Sequence, residues 1–349
     1  MSAPMRVLLW HVHGSWTTAF VQGQHEYLVP VVPGRGPEGR GRAQTWDWPA
    51  SVRELSPTEV RAALDDGAVD VVLLQRPDDV RLLQEWTGRR PGRDVPAVYV
   101  EHNAPTGHAA RSRHPLADLD TVADGTVPVV HVTAFNRLMW DCGDARTLVV
   151  DHGIPDPGHR WTGERPHVAA AVNEPVRRWR VAGTDVLLRV AQDVPLEVYG
   201  MGTDLLAPHL ESGSPVAAAS AARLHDLPQH ELHDALAGAR AYLHPYRWTS
   251  LGLSLLEAMA IGLPVLALPV TEAPVAVPPE AGVLSADPEV LVAAARRWVD
   301  EPEEAAAHGK AAREHALTHY PLGRFLDRWT ALLTELVDDA PAGRPSSRH

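Results

Sequence analysis

The stretch 241–269, AYLHPYRWTSLGLSLLEAMAIGLPVLALP, constrains the fold of this chain more than any other. A short apolar run, Ala241–His244, ends at Pro245 and is followed by a polar, glycine-containing turn. An apolar helical pattern then carries one acid, Glu257, and Gly262-Leu263-Pro264 closes it before a second apolar run, Val265–Leu268. Strand, loop, helix and strand in that order make one βαβ unit, with a turn at the carboxyl end of the first strand. Leu253, Leu256 and Ala260 recur at helical spacing while Glu257 lies in the N-terminal half of the helix. An acid there is favourable near the positive end of the helix dipole. It can also face the crevice at the strand ends, where open α/β sheets bind ligands.

The rest of the chain repeats the alternation. Strand-like runs at Arg6–Val12, Tyr27–Val32, Val69–Leu74, Ala97–Val100, Val127–Val132 and Thr147–Val150 are separated by polar or helical segments, among them helix candidates at Leu55–Asp66 and Asp78–Trp86. Such alternation predicts a parallel sheet covered by helices. Gly34–Pro49 breaks it: the segment is rich in glycine and arginine, has no apolar periodicity and reads as a long loop of the functional or mobile kind. Asp151–Gly158 is rich in turn residues. The pattern then restarts with strands at Val168–Val172 and Leu196–Tyr199, and helices at Thr184–Val190 and His230–Ala237. Asp287–Asp300 and Pro302–Leu317 are alanine-rich helices, and Leu322–Leu336 places Phe325, Trp329, Leu332, Leu333 and Leu336 on one face.

At 349 residues and 45% hydrophobic content the chain can fill two cores. A formal net charge of −12 argues against nucleic acid as a partner, since phosphate backbones are bound by clustered Lys and Arg. The single cysteine, Cys142, excludes an intrachain disulfide and fits a reducing compartment. The opening run is strand-sized and interrupted by His11 and His13, and no apolar stretch is long enough to span a membrane, so the expectation is a cytoplasmic protein. No internal repeat of fixed period is present.

From Pro245 to Leu266 the sequence resembles the donor-site motif of retaining, nucleotide-sugar-dependent glycosyltransferases with the GT-B fold, the glycosyltransferase family 4-like group of glycogen-synthase-like and mannosyltransferase-like enzymes. That motif runs Glu, seven residues, Glu, then Ala-Met-Ala-x-Gly-x-Pro-Val. Glu257-Ala258-Met259-Ala260-Ile261-Gly262-Leu263-Pro264-Val265 matches its second half at every fixed position. The first acid is replaced by Thr249, and the usual Gly-Phe-Gly-Leu reads Ser250-Leu251-Gly252-Leu253.

The resemblance implies an α/β protein of GT-B fold, with two Rossmann-like domains facing across a cleft. Residues 1–156 would form an acceptor domain, 157–321 a nucleotide-sugar donor domain, 322–338 a helix crossing back to the first domain, and 339–349 a disordered tail. Its activity would be transfer of a sugar, with retention, from a UDP-, GDP- or ADP-sugar to a small-molecule, glycan or glycolipid acceptor. No metal and no cofactor besides the nucleotide sugar are expected.

The same resemblance assigns roles to residues. A metal-independent site must neutralise a diphosphate with cations, backbone N–H groups and helix N-termini. The family uses Gly-Arg, four residues, then Lys-Gly; aligning on Gly183-Thr184-Asp185-Val186-Leu187-Leu188 puts Arg177 at the arginine and Ala182 at the lysine, with Arg178 and Arg180 in the same turn. Arg177 and Arg180 are therefore the candidate cations. Glu257 would accept from both ribose hydroxyls, as a two-oxygen acceptor suits a vicinal diol. Thr249, Ser250, Leu251, Gly252 and Leu253 would hold the donor sugar, with Gly202 of Gly200-Met201-Gly202 beside them. His225, Asp226 and Leu227 stand at the base-binding loop. In the first half, Gly14 and Ser15 occupy the family's glycine loop, and His102 takes the place of a histidine near the donor sugar or acceptor.

Other readings use the same residues. Thr249 and Ala182 remove one acid and one cation, which fits a non-catalytic nucleotide-sugar or carbohydrate-binding protein. His11-Val12-His13 at a strand end fits metal ligation in a hydrolase. Asp118-Leu119-Asp120 has the spacing of a metal-binding acid pair but lies in a polar loop, and reads as a solvated acidic run.

Overall fold

In the computed structural model, which describes residues 3–107 and 110–340, the apolar runs pair into two wholly parallel sheets. Val7-Leu8-Leu9, Val71–Leu74 and Val98-Tyr99-Val100 are bulky toward both faces and buried on both, which requires helices over each face of the sheet. The chain divides into two compact units. One runs to Gly153 and resumes at Leu322; the other is Ile154–Pro321. The expected tail at 339–349 lies, from residue 341 onward, outside the described residues. Among the described residues no helix is long and apolar enough to cross a membrane.

The first unit contains strands β1 (Arg6–Leu9), β2 (Glu26–Pro30), β3 (Val52–Leu55), β4 (Val71–Leu74), β5 (Ala97–Glu101), β6 (Val129–His131) and β7 (Thr147–Val149), ordered β3-β2-β1-β4-β5-β6-β7. Its helices are α1 (Gly14–Phe20), α2 (Pro57–Asp65), α3 (Pro77–Thr87), α4 (Asp120–Ala123) and α5 (Ala134–Met139). Among the elements that differ from the sequence reading are β3 and α1. Leu55 belongs to the edge strand β3 rather than to a helix, because Ser56 caps α2 and exchanges bonds with Glu59 in a capping box. Pairing with β2, not periodicity, makes Val52–Leu55 a strand. The turn after β1 enters α1 at once, and this short helix is held by packing: Trp16 and Phe20 are buried.

The second unit contains β8 (Arg165–Ala171), β9 (Leu196–Tyr199), β10 (Leu224–His225), β11 (Ala239–His244), β12 (Val265–Ala267) and β13 (Gly282–Leu284), ordered β10-β9-β8-β11-β12-β13. Its helices are α6 (Pro175–Ala182), α7 (Thr184–Ala191), α8 (Ala207–Glu211), α9 (Pro215–Ser220), α10 (Gln229–Ala237), α11 (Leu253–Ile261), α12 (Ala273–Ala276), α13 (Pro288–Asp300) and α14 (Pro302–His319). One core packs α7 and α13 on the sheet; the other packs α10, α11 and α14 on its opposite face. A Cβ on Gly309 would lie 2.1 Å from the Gly262 carbonyl oxygen, so α14 crosses α11 in near backbone contact. Arg177–Arg180 is not a turn as read from the sequence. It is helical, because Pro175 occupies the first helical turn and Gly183 in the left-handed region closes the segment, with a kink at Trp179.

The last helix, α15 (Leu322–Asp338), packs in the first unit. Its buried residues are Phe325, Trp329, Leu332, Leu333 and Leu336. Trp329 meets Trp16 and Phe20 edge to face at centroid distances of 5.6 and 5.4 Å, a geometry that adds about 0.5–1.5 kcal/mol per pair beyond area burial.

Candidate functional site

In the second unit the strand order reverses direction at β8, whose neighbours are β9 and β11. Ligands of doubly wound sheets bind beyond the carboxyl ends of the strands at such a point. Four loops leave those ends here, and short bonds join them. Asn173 Oδ1 accepts from the Met201 N–H at 3.0 Å, the Glu174 N–H donates to the Met201 carbonyl at 2.7 Å, and the Gly200 N–H donates to the His225 carbonyl at 2.8 Å. Gly200 has φ 131°, and a Cβ on it would lie 2.6 Å from the Val172 carbonyl oxygen. The Arg247 N–H donates to the Val181 carbonyl at 3.0 Å, tying the β11 loop to the end of α6.

Glu257 stands in the second turn of α11, whose residues from Leu255 to Ile261 are all buried. It is 8% exposed. Gln229 Nε2 donates to its Oε1 at 2.7 Å, and His233 Nε2 lies 3.3 Å from its Oε2. Beside it, Ser250 and Leu251 are buried, while Thr249, Gly252 and Leu253 are partly exposed. Gly252 is a steric requirement, since a Cβ there would meet His244 Cε1 at 2.6 Å. Burial lowers His244 to about 4, so it supports the turn as a neutral ring.

The cations cluster around α6. Arg177 pairs with Glu174 and is 71% exposed; Arg180 Nη1 donates to Asp185 Oδ2 at 2.6 Å and is 69% exposed. Arg247 Nη2 reaches the same Asp185 oxygen at 2.7 Å, and its own side chain is 27% exposed. Burial works to raise the Asp185 carboxyl, but the bond to Arg247 and the charges of Arg247 and Arg180 outweigh it and hold it below its usual value. The Arg178 guanidinium lies 5.5 Å from the centroid of the Tyr246 ring. Ala182 is fully buried in the core, so this position has no path to a ligand at the loop edge. Arg247 escaped the sequence reading; its only signal was a cation two residues beyond the strand-ending proline.

At the base-loop position, His225 stacks on Tyr199 at 5.4 Å and its Nε2 lies 3.0 Å from Glu197 Oε1. Asp226 is exposed and Leu227 partly buried, and Gly202 is partly exposed at φ 69°. Glu197 also faces His167 Nε2 at 2.6 Å and Arg165 Nη1 at 3.3 Å. Burial pushes its carboxyl up, yet contact with His167 and the charges of His167 and Arg165 prevail and bring it down to about 2. A carboxyl held below its ordinary value stabilises the fold fully above about pH 4.5 and loses that contribution as pH falls toward about 2. Urea denaturation between pH 3 and 7 should show an acid loss on the order of 2 kcal/mol in the wild type and a flatter profile in Glu197→Gln.

In the first unit three histidines gather at the carboxyl edge of the sheet. His13 follows β1, His102 follows β5 and His152 follows β7. The His13 and His102 rings are 4.0 Å apart, and Trp16 meets His102 edge-on at 4.9 Å. Burial holds His102 well below the ordinary imidazole range and lowers His13 and His152 to about 4, so all three are neutral at pH 7. Gly14 and Ser15 open α1 beside them, and a Cβ on Gly14 would lie 3.6 Å from Trp46 Nε1 in the 34–49 loop. That loop is stitched in place: Arg35 pairs with Glu54 at 2.8 Å, and Arg42 donates to the Trp48 carbonyl at 2.6 Å.

His11 and His13 have different neighbours. His11 Nδ1 bonds the Gly41 carbonyl at 3.0 Å and its ring lies on Trp48 at 4.8 Å, whereas His13 lies on His102. Among the described residues no group of three or more His, Cys, Asp or Glu is arranged to hold a metal ion. Asp118 is 82% exposed and pairs with Arg113 at 2.6 Å, while Asp120 opens α4. Cys142 is buried 3.7 Å from His131 Nε2, and burial pushes its thiol up to about 11, which leaves it protonated and unreactive.

Residues 177–301 match the family model described as glycosyl transferases group 1. No curated protein matches the sequence. Among solved structures, the sucrose-phosphate synthase of Thermosynechococcus elongatus is similar at 14% identity with a TM-score of 0.71, over 96% of this chain and 99% of that one. Anabaena HepE, solved in complex with UDP, is similar at 12% identity with a TM-score of 0.65, over 95% of this chain and all of that one. TarM is similar at 16% identity with a TM-score of 0.57, over 78% of this chain, which spans only 57% of TarM. With two parallel doubly wound sheets and these likenesses over nearly its whole length, the chain has the GT-B fold, and its group 1 glycosyltransferase match lies in the second unit.

Proposed function

We propose that the protein is a glycosyltransferase that moves a sugar from a nucleoside diphosphate donor to an acceptor, with retention at the anomeric carbon and without a metal. The observation that carries this reading is the placement of Glu257. It is the one acid of a largely buried helix that follows the loop at the carboxyl end of β11, and two side chains hold it. Its carboxylate receives the ribose hydroxyls. The sugar and diphosphate lie against the turn Thr249–Leu253, with Gly202 nearby, and His225–Leu227 borders the base.

The leaving diphosphate gains negative charge as the glycosidic bond breaks, and preformed cations lower that barrier. Arg180 and Arg247 share one carboxylate, which leaves a net positive charge at the end of α6, and Arg177 adds a third guanidinium on the same helix. No protein nucleophile is required when the acceptor attacks the face from which the diphosphate departs. His13, Ser15 and His102 form the acceptor-binding edge of the first unit, where neutral imidazoles can accept a hydroxyl proton or orient it. Small molecules, glycans and glycolipids are the acceptor classes, and we place the activity in the cytoplasm.

Calorimetry with UDP, GDP and ADP, followed by transfer assays with their sugars, tests the reading; UDP comes first because HepE and pneumococcal GtfA were solved with it. Absence of binding to all three nucleotides, with no turnover of any of their sugars, refutes it. Arg180→Ala and Arg247→Ala should each lower kcat roughly 10- to 100-fold with a smaller change in donor KM, the signature of charge stabilisation in the transition state.

A second reading, a non-catalytic nucleotide-sugar binder on the same fold, draws on two observations. Thr249 stands where the motif has an acid, and Ala182 is sealed in the core. Nucleotide binding with no turnover on any acceptor would select it.

A further inference from the structure

The two side chains that hold Glu257 both come from α10, at its first and fifth residues. Gln229 and His233 are four residues apart, so they project from one face of the helix toward α11. Gln229 Nε2 occupies Oε1 at 2.7 Å, and His233 Nε2 approaches Oε2 at 3.3 Å. The side chains of His233 and Glu257 are only 15% and 11% exposed, so the contacts are largely shielded from water. A carboxylate has about four acceptor positions, two on each oxygen. One donor on each oxygen fixes the plane of the group and leaves one position on each for a ligand. That arrangement matches two adjacent hydroxyls and is half used by a single one.

We propose that Gln229 and His233 are positioning residues that orient Glu257 toward a vicinal diol, and that they set a preference for ribonucleotides over 2′-deoxyribonucleotides. This rests on the assignment of Glu257 to the ribose made above. α10 begins where the loop His225–Pro228 ends, so one continuous segment of chain borders the base and orients the acid that reads the sugar of the same nucleotide.

The test is calorimetric titration of the full chain with UDP and dUDP, GDP and dGDP, and ADP and dADP, using the wild type, Gln229→Leu, His233→Leu and His233→Gln. A hydrogen bond to a charged group corresponds to roughly 10-fold or more in affinity. The wild type should therefore bind its preferred ribonucleotide at least about 10-fold more tightly than the deoxy form. Gln229→Leu and His233→Leu should narrow that ratio to about 3-fold or less, chiefly by weakening the ribonucleotide, and His233→Gln, which keeps a donor, should restore much of it. Loss of a merely structural contact would lower the melting temperature and leave the ratio alone. An unchanged ratio in folded Gln229→Leu and His233→Leu proteins overturns the proposal; if one leucine variant does not fold the other decides, and if neither folds, a ratio in His233→Gln that drops to about 3-fold or less overturns it. A wild type that binds a ribonucleotide and its deoxy form equally also overturns it. If the wild type binds none of the three ribonucleotides, the ribose assignment itself fails and takes this proposal with it.

Discussion

Gly183→Ala is expected to destabilise the second unit by about 3–5 kcal/mol, the range of substitutions that force backbone apart at a strained position. Gly183 has φ 72° and ψ 30° and serves both as the end of α6 and the start of α7. An L-residue in this left-handed region costs about 1 kcal/mol before any contact is considered. The contact is the larger effect: a Cβ would lie 1.8 Å from the Pro245 carbonyl oxygen. No side-chain rotation relieves a clash between a methyl group and main chain, so the α6–α7 junction must move away from the β11 loop. The Arg247 bond to the Val181 carbonyl and its pair with Asp185 straddle that contact and should weaken with it. Thermal unfolding should show a midpoint lowered by roughly 6–20 °C, given about 2–4 °C per kcal/mol for a unit of this size. A shift under 2 °C would mean that the junction and the β11 loop are not in contact.

Glu257→Gln should weaken nucleotide binding by about 30- to 100-fold while leaving the protein folded. The amide keeps the size of the carboxylate but replaces one acceptor oxygen with a donor. That donor faces Gln229 or His233, or else faces the ligand, and either orientation sacrifices a charge-assisted bond. Loss of one or two bonds of about 1.5 kcal/mol or more each gives the expected range. Glu257→Ala should match it in affinity and cost additional stability, because the Gln229 and His233 donors are then left without their acceptor in a mostly shielded site. Isothermal titration separates the outcomes: binding within 3-fold of wild type in Glu257→Gln removes Glu257 from the ligand site.

Much of the architecture was legible because it is written in local periodicity. Val71–Leu74 is an apolar run of strand length, Leu196–Tyr199 is one interrupted by Glu197, and the amphipathic face of α15 is spelled out at helical spacing. β3 was not legible, because Val-Arg-Glu-Leu is a strand only by virtue of its partner β2. α1 was missed for a related reason: His13 offers no side-chain cap, and the helix depends on Trp16 and Phe20 meeting α15 from the other end of the chain. Arg177–Arg180 read as a basic turn because the kink at Trp179 and the αL termination at Gly183 are backbone features that charge patterning does not encode.

By itself the sequence determined the βαβ unit at 241–269, the run Glu257–Val265 and the alternation that makes both sheets parallel, all of them patterns within a few residues of chain. Only the tertiary structure decided what surrounds Glu257. Gln229 and His233 reach it across 28 and 24 residues, and Arg247 meets Asp185 across 62. It also decided that Ala182 lies in the core and that His13 stacks on His102. The physical reason is one of range. Periodicity reports which side of an element is apolar, whereas hydrogen-bond partners and ring contacts depend on where the sheet order sets distant loops side by side.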